Sequence, residues 1–260
     1  NEGKTRVPIY ETYVQAGFDP DKDMLQVPGF GDRGSGPPQW REQRGGTLVV
    51  DWEMRTSLEG LYAAGHIGGT GGAAGSSTTG RYAGRKAAAY AGIAAGPEVD
   101  RNQIEAEKAR VYAPVRQPEG IGYKEVHGGT ARIMQDYCGE YKSKATLKAG
   151  LHWLNIIRES EAANTSARNP HELVRTLECL SRITAGEMGM HASLARKASS
   201  RVLDCRRLDY SEMDPEVWNK FVTIRMEDGD VQVGEKPFDY WLKGSNAATY
   251  QENYDRHSDR

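Results

Sequence analysis

Residues 61–85 read LYAAGHIGGTGGAAGSSTTGRYAGR, and this glycine-rich stretch decides the fold prediction. Such a stretch can be a flexible linker, a tight turn, or a place where the backbone approaches a ligand closely. Two short apolar runs lie around its start, LVV at 48–50 and LYAA at 61–64. Because each run is bounded by glycine or acidic residues, we predict that both form short buried strands.

The sequence after the glycines is dominated by alanine. It predicts a helix that begins near Ser76 or Thr78 and ends at Gly96. The amino end of a helix offers unpaired N–H groups and about half a positive charge, which favours an electron-rich or anionic ligand. The stretch contains neither a Walker A sequence nor the G-x-G-x-x-G turn of dinucleotide-binding domains. Its composition alone leaves open whether it is a ligand loop or a structural turn.

Bulk composition excludes several classes of function. The chain has 260 residues and a formal net charge of −2, which gives no indication of a nucleic-acid partner. It has no apolar run long enough to span a bilayer and no signal-peptide pattern. Its 3 cysteines lack C-x-x-C spacing, which argues against an iron–sulfur cluster or zinc site of its own. Free cysteines favour a reducing compartment, and we expect the cytoplasm.

The chain divides into three predicted regions. Residues 1–44, rich in proline, glycine and aspartate, are expected to be a connector and the remnant of a substrate or capping domain. Residues 45–98 carry the strand, turn and helix pattern, and 99–260 are expected to be mostly helical. Since the chain opens at Asn1 without a recognisable element, we expect it to be part of a longer polypeptide.

Four helices are predicted in the third region, within 100–114, 128–141, 144–164 and from 169 onward. The last has the clearest start, with Asn169 as the cap, Pro170 in the first position and Glu172 completing a capping box. Farther on, FVTIRMEDGDVQVGE alternates around a Glu-Asp-Gly-Asp turn. This pattern is typical of a β-hairpin, with a short turn of helix at DPEVWNKF before it.

The stretch TSLEGLYAAGHIGGTGGAAGSSTTGRYAGRKAA resembles the second flavin-binding segment of the fumarate reductase/succinate dehydrogenase flavoprotein superfamily. Downstream, the segments ARIMQDYCGEY, RKASSR and RRLDYSEMDPEVW are similar to the C-terminal helical domain of the same superfamily. Among its members, the chain most resembles alpha subunits of the adenylylsulfate reductase type. The resemblance covers about residues 45–224. It implies an α/β segment of a two-dinucleotide-binding-type FAD domain, followed by a mostly helical domain with a small hairpin.

The resemblance also implies which residues bind the cofactor. In the superfamily the helix after the glycines points its amino end at the pyrimidine side of the flavin ring, where reduced flavin is negatively charged. Gly65 and His66 would lie near the ribityl chain. The isoalloxazine contacts would come from Gly75, Ser76, Ser77 and Thr78.

Several positions depart from the superfamily pattern. Position 66 usually carries an acid, and His66 is as well explained by a structural turn. Fumarate reductases place a substrate-binding arginine where Gly71 stands, which disfavours fumarate or succinate as the substrate. Arg41 and Arg44 could bind an anionic substrate, or could be solvated loop residues.

The motif RKASSR has Ala198 where the pattern has glutamate. We expect Arg196 and Arg201 to tie a helix to the flavin domain. We interpret His191 as a packing residue, and His127 is left without an assigned role.

The leading hypothesis is an FAD-dependent oxidoreductase, or its C-terminal portion, that moves electrons between a small anionic substrate and a ferredoxin-like iron–sulfur subunit. Adenylylsulfate or a related sulfur compound is one possible substrate. The first dinucleotide-binding motif is not in the chain, so an N-terminal FAD-binding portion of the same protein is expected as a further partner. The alternative hypothesis is a non-catalytic helical interaction module in a larger complex.

Overall fold

A computed structural model describes residues 11, 14–17, 19, 22, 46–96, 98–201, 203, 205–237, 240 and 249–257. The chain divides into two compact units, Asn1–Pro37 and Pro38–Arg260. Within the first unit, the described residues include an ion pair of 2.9 Å between Lys22 Nζ and Asp19 Oδ2. The second unit holds the glycine-rich stretch and the helical region after it.

The helix after the glycines, α1, spans Gly72–Ala91. It therefore begins four to six residues before the predicted start at Ser76 or Thr78, and it ends before the predicted stop at Gly96. The early start has a local cause. Gly72 has a φ of 76°, a left-handed value that glycine adopts without strain, and the alanines after it are strong helix formers.

The two predicted strands are not formed. Residues 46–50 have no strand partner in the described part of the chain, and Leu48 and Val49 are exposed. The segment 61–64 makes one isolated antiparallel bridge, between Tyr62 and Arg55. The apolar pattern is compatible with strands, but a strand also needs a neighbouring strand with which to pair. Among the described residues, 46–50 has no such neighbour and 61–64 has only this bridge.

The remaining helices confirm the predicted helical region. The helix α2 spans Arg101–Tyr112 and buries no residue, α3 spans Tyr123–Cys138, α4 spans Lys144–Glu159 and α5 spans Pro170–Ala195. The helices α3, α4 and α5 pack against one another. The buried apolar side chains of this bundle form one core: Val126, Ile133, Met134, Cys138, Leu147, Leu154, Ile157, Ala162, Cys179, Ile183 and Met190.

Helix α5 begins as predicted. The Asn169 side chain accepts a hydrogen bond of 2.9 Å from the Glu172 N–H, and Pro170 occupies the first turn. The Glu172 carboxylate accepts from the Arg168 N–H at 2.8 Å rather than from Asn169. The cap is therefore reciprocal, as in a capping box, but its second bond is displaced by one residue.

The strands are few and short. The strand β1 (Tyr141–Lys142) pairs in parallel with β2 (Arg206–Arg207), and β3 (Lys220–Glu227) pairs with β4 (Asp230–Pro237) in the predicted hairpin. The hairpin turns at Asp228 and Gly229, whose φ values of 51° and 87° match a type I′ turn. A last helix, α6, spans Tyr250–His257. In the described ranges we find no helix with the length and apolarity needed to cross a membrane.

Candidate functional site

The glycine-rich stretch forms a tight loop closed onto the start of α1. Gly65 and Gly69 have left-handed φ values of 67° and 87°. The Thr70 N–H donates to the Gly65 carbonyl oxygen over 2.9 Å and closes the loop, while the Leu48 N–H donates to the Ile67 carbonyl oxygen over 2.8 Å. These bonds exclude the flexible-linker interpretation and favour a turn with a defined backbone.

The amino end of α1 is open. Its N-cap is Gly71, no side chain caps it, the first turn carries no acidic residue, and 71–74 are exposed. By contrast, side chains of Asp100, Ser143 and Asn169 cap α2, α4 and α5. Since the first N–H groups of any helix lack intrahelical partners, the start of α1 can donate hydrogen bonds to an electron-rich group.

The observed helix start changes which amides are free. The N–H groups of 72–74 lack intrahelical partners, whereas Gly75 has the first N–H that can pair with a carbonyl four residues earlier, followed by Ser76, Ser77 and Thr78. The prediction that the helix begins at these residues is therefore wrong. The side chains of Ser77 and Thr78 are exposed. Ser76 faces the loop instead, because a Cβ placed on Gly65 would lie 3.1 Å from its Oγ.

Two threonine hydroxyls bind the loop to α1. The buried Gly65 N–H donates to Thr79 Oγ1 over 3.0 Å, and Thr79 Oγ1 donates to the Gly75 carbonyl oxygen over 2.7 Å. Thr70 Oγ1 lies 3.1 Å from Thr79 Oγ1 and 3.2 Å from the Gly65 carbonyl oxygen. The contact between the Thr70 and Thr79 hydroxyls could not be predicted from the sequence, because it forms only when the loop folds back onto α1.

His66 lies beside the N-cap of α1. It belongs to the short 3-10 helix Gly65–Gly68, and its side chain is exposed. A Cβ placed on Gly71 would lie 3.3 Å from His66 Cε1, so the imidazole covers the space that a side chain at position 71 would need. The structure thus brings Gly65, His66 and Gly75 together at one end of α1.

A charged cluster fastens the middle of α1 to the turn before the loop. Lys86 Nζ lies 2.8 Å from Glu53 Oε1, and Arg55 Nη2 lies 2.9 Å from Glu53 Oε2. The hydrogen bond from Lys86 holds the pKa of Glu53 below its ordinary value. Lys86 also lies 5.5 Å from the centre of the Tyr82 ring. No spacing rule links positions 53 and 86, so this cluster could not be predicted from the sequence.

The arginines of RKASSR have different environments. Arg196 is buried, and burial lowers its pKa. Its Nη2 donates to the Trp218 carbonyl oxygen over 3.3 Å, and its Nη1 donates to the Lys220 carbonyl oxygen over 3.4 Å. Arg196 therefore ties the end of α5 to the segment that leads into β3, rather than to a flavin domain as we predicted. Arg201 is exposed, and its N–H donates to Asp214 Oδ2 over 3.3 Å.

The remaining candidates lie away from the loop or outside the described residues. His191 is half-buried on α5. On α3, His127 Nδ1 lies 3.0 Å from Arg182 Nη1, and burial, followed by the charge of Arg182, lowers the His127 pKa. Arg41 and Arg44, the candidates for substrate binding, lie outside the residues that the structure describes.

Solved structures of three flavoprotein enzymes share this fold. Adenylylsulfate reductase from the hyperthermophilic Archaeoglobus fulgidus matches with a TM-score of 0.66 and 24% identity over 71% of this chain and 33% of that chain. The quinol fumarate reductase of E. coli matches with a TM-score of 0.60 and 21% identity over 72% of this chain and 35% of that one. The Mycobacterium smegmatis Sdh1 complex matches with a TM-score of 0.58 and 25% identity over 74% of this chain and 35% of that one.

The chain spans about a third of the length of these similar structures. A search of curated proteins found no significant match. The family described as fumarate reductase flavoprotein C-term matches residues 128–250, which include most of α3, all of α4 and α5, and the hairpin. The predicted resemblance to the fumarate reductase/succinate dehydrogenase flavoprotein superfamily is thus confirmed over residues 128–250.

Proposed function

We propose that this chain is the C-terminal portion of an FAD-dependent oxidoreductase and that the amino end of α1 faces the flavin. The observation that carries the proposal is the uncapped and exposed start of α1, directly after a loop with a fixed backbone. Partial positive charge at this end would stabilise an electron-rich ring system. Bound FAD would supply the electron-transfer chemistry, and the protein would supply position and electric field.

The residues at this end of α1 fit such a group. A Cβ placed on Gly72 would meet no atom within 4 Å, so the backbone there is open to close approach by a flat ligand. In this proposal the amides of 72–74 would donate to the isoalloxazine beside Gly75, with help from the exposed hydroxyls of Ser77 and Thr78. Ser76 would act from the loop side, and Gly65 and His66 would lie near the ribityl chain.

The substrate and the partners follow from the same proposal. A small anionic substrate would give electrons to the flavin or take them from it, and a ferredoxin-like iron–sulfur subunit would be the second electron carrier. An N-terminal FAD-binding portion of the same protein would hold the adenosine half of the cofactor. Adenylylsulfate or a related sulfur compound is the substrate class we favour, because the adenylylsulfate reductase structure has the highest TM-score of the three similar enzymes. Arg41 and Arg44 are the candidates for binding its negative charge.

The test is flavin content after expression from the complete reading frame. The purified protein is expected to absorb in the visible flavin bands and to release FAD on denaturation. Ala74→Trp should remove the flavin, because position 74 is exposed in the first turn of α1, and the indole would fill the space over the amides. Ala89→Trp is the matched control, since position 89 is equally exposed in the last turn. A colourless protein in a stoichiometric complex with another protein would favour the interaction module, and full flavin content in Ala74→Trp would contradict the proposed placement.

A further inference from the structure

The hydroxyl of Thr79 occupies a central position in the contact between the loop and α1. It accepts a hydrogen bond from the Gly65 N–H and donates to the Gly75 carbonyl oxygen, over 3.0 and 2.7 Å. Thr70 Oγ1 lies 3.1 Å from Thr79 Oγ1 and 3.2 Å from the Gly65 carbonyl oxygen, and its single hydrogen can serve one of these two acceptors. Thr79 thus connects the first residue of the loop with the last residue of the first helical turn.

Gly65 depends on this contact. It is buried, and its left-handed φ of 67° starts the loop. Without the Thr79 hydroxyl, its N–H would be buried without an acceptor, which is an unfavourable state. The loop would then be expected to leave its present conformation, and the positions of His66 and Gly71 would change with it.

Thr79 differs from the neighbouring hydroxyl residues. Ser77 and Thr78 are exposed on α1, whereas Thr79 is half-buried and turned toward the loop. Its side chain is therefore engaged with the protein and is not available to a ligand at the start of the helix. A residue of this kind acts on a ligand only through the backbone that it holds.

We propose that Thr79 is a positioning residue that fixes the Gly65–Thr70 loop against the flavin-facing end of α1. This inference rests on the proposed function. Removing the hydroxyl should weaken FAD binding and change the flavin's surroundings. It should not disturb the bundle of α3, α4 and α5, because the hydrogen bonds of Thr79 within the described residues go to Gly65, Thr70 and Gly75.

The test compares Thr79→Val, which keeps the shape and removes the hydroxyl, with Thr79→Ser, which keeps the hydroxyl. The protein is expressed from its complete reading frame, stripped of flavin and titrated with FAD. Thr79→Val should weaken FAD binding by about tenfold, roughly the effect of one lost buried hydrogen bond, and should shift the visible flavin spectrum. Thr79→Ser should bind within about twofold of the unchanged protein. The matched control is Thr176→Val, which removes a fully buried hydroxyl of α5 and should leave the FAD affinity and spectrum unchanged.

The outcomes separate the two proposals. Wild-type protein that binds no FAD overturns the proposed function and this inference together. Wild-type protein that binds FAD while Thr79→Val binds it equally well, with the same spectrum, overturns only the role of Thr79. If Thr79→Val does not fold, Thr79→Ala decides, because it removes the same hydroxyl and with it the acceptor of the Gly65 N–H. Weaker FAD binding in Thr79→Ala supports the role of Thr79, and unchanged affinity and spectrum contradict it.

Discussion

Arg207 and Asp209 form a two-bond ion pair that joins two helices of the bundle. Arg207 Nε and Nη2 lie 2.9 and 2.8 Å from the two carboxylate oxygens of Asp209. Arg207 Nη1 donates to the carbonyl oxygens of Ser193 and Arg196 at the end of α5, while Asp209 accepts from the Lys144 N–H at the start of α4 over 2.9 Å. The pair therefore satisfies backbone groups at the ends of both helices.

Replacing Arg207 by methionine should destabilise the protein strongly. The side chain is almost fully buried, and its loss leaves a carboxylate and two carbonyl groups without their donor. Breaking one side of a buried pair costs about 3–5 kcal/mol, and we expect a loss near the lower end because Asp209 is partly exposed. Urea unfolding followed by circular dichroism measures it. Arg206→Met is the matched control: Arg206 is half-exposed, so losing its pair with the mostly buried Glu140 should cost only about 1–2 kcal/mol.

The same pair should make stability depend on acidic pH. Hydrogen bonds from Arg207 and from the Lys144 N–H hold the pKa of Asp209 below its ordinary value, which is about 3.9 in an unfolded chain. The stabilisation is therefore complete above about pH 4 and is lost as the pH falls through the lowered folded-state pKa. Urea midpoints of the wild type and Asp209→Asn should differ most at neutral pH and converge below about pH 4. A constant difference down to pH 2 would be incompatible with this linkage.

The sequence predicted where helices begin better than it predicted which segments pair as strands. Asn169 and Pro170 carry local signals, since a cap and a first-turn proline act within a few residues, and α5 begins where they indicated. The strands predicted at 48–50 and 61–64 depended on neighbours that the local pattern does not encode. In the pair Arg206–Arg207, alternation along β2 buries one arginine and exposes the other, and the sequence contains no signal that tells which.

Gly150 marks the closest approach within the bundle. A Cβ at this position would lie 2.7 Å from Tyr137 Cβ and 2.6 Å from Met190 Cε, and the tyrosine atom is too close to its own backbone to move away easily. Gly150→Ala should therefore cost about 1–3 kcal/mol through overpacking. Gly189→Ala, inside α5 with no atom within 4 Å of the new Cβ, should instead stabilise by up to about 1 kcal/mol. Equal effects of the two substitutions on the thermal midpoint would refute the close packing.

The sequence indicated which segment forms the loop and α1, but only part of the geometry of that segment. The glycine, alanine and serine content identified the segment, because these residues have a local preference for turns and helix starts. The exact start at Gly72 depends on a left-handed φ, and the use of Thr79 depends on the loop folding back onto α1. Neither property follows from residue types alone.

His127 should titrate below the ordinary histidine range, and its pKa should rise when Arg182 is replaced. Because a guanidinium can only donate, His127 Nδ1 must accept in the 3.0 Å contact, which requires the neutral ring. Burial lowers the His127 pKa most, and the charge of Arg182 lowers it further. Arg182→Gln should therefore move the pKa toward about 6.5 without reaching it.

As the pH falls, His127 is protonated at a higher pH in the unfolded chain than in the folded protein. The free energy of unfolding should therefore fall as the pH drops from about 7 through the lowered folded-state pKa. NMR shifts of the imidazole follow the titration of His127. The control is Arg175→Gln, which removes an exposed charge from α5, the helix that also carries Arg182, and should leave the His127 pKa unchanged. A lower or unaltered pKa in Arg182→Gln would mean that the arginine does not act on the neutral ring.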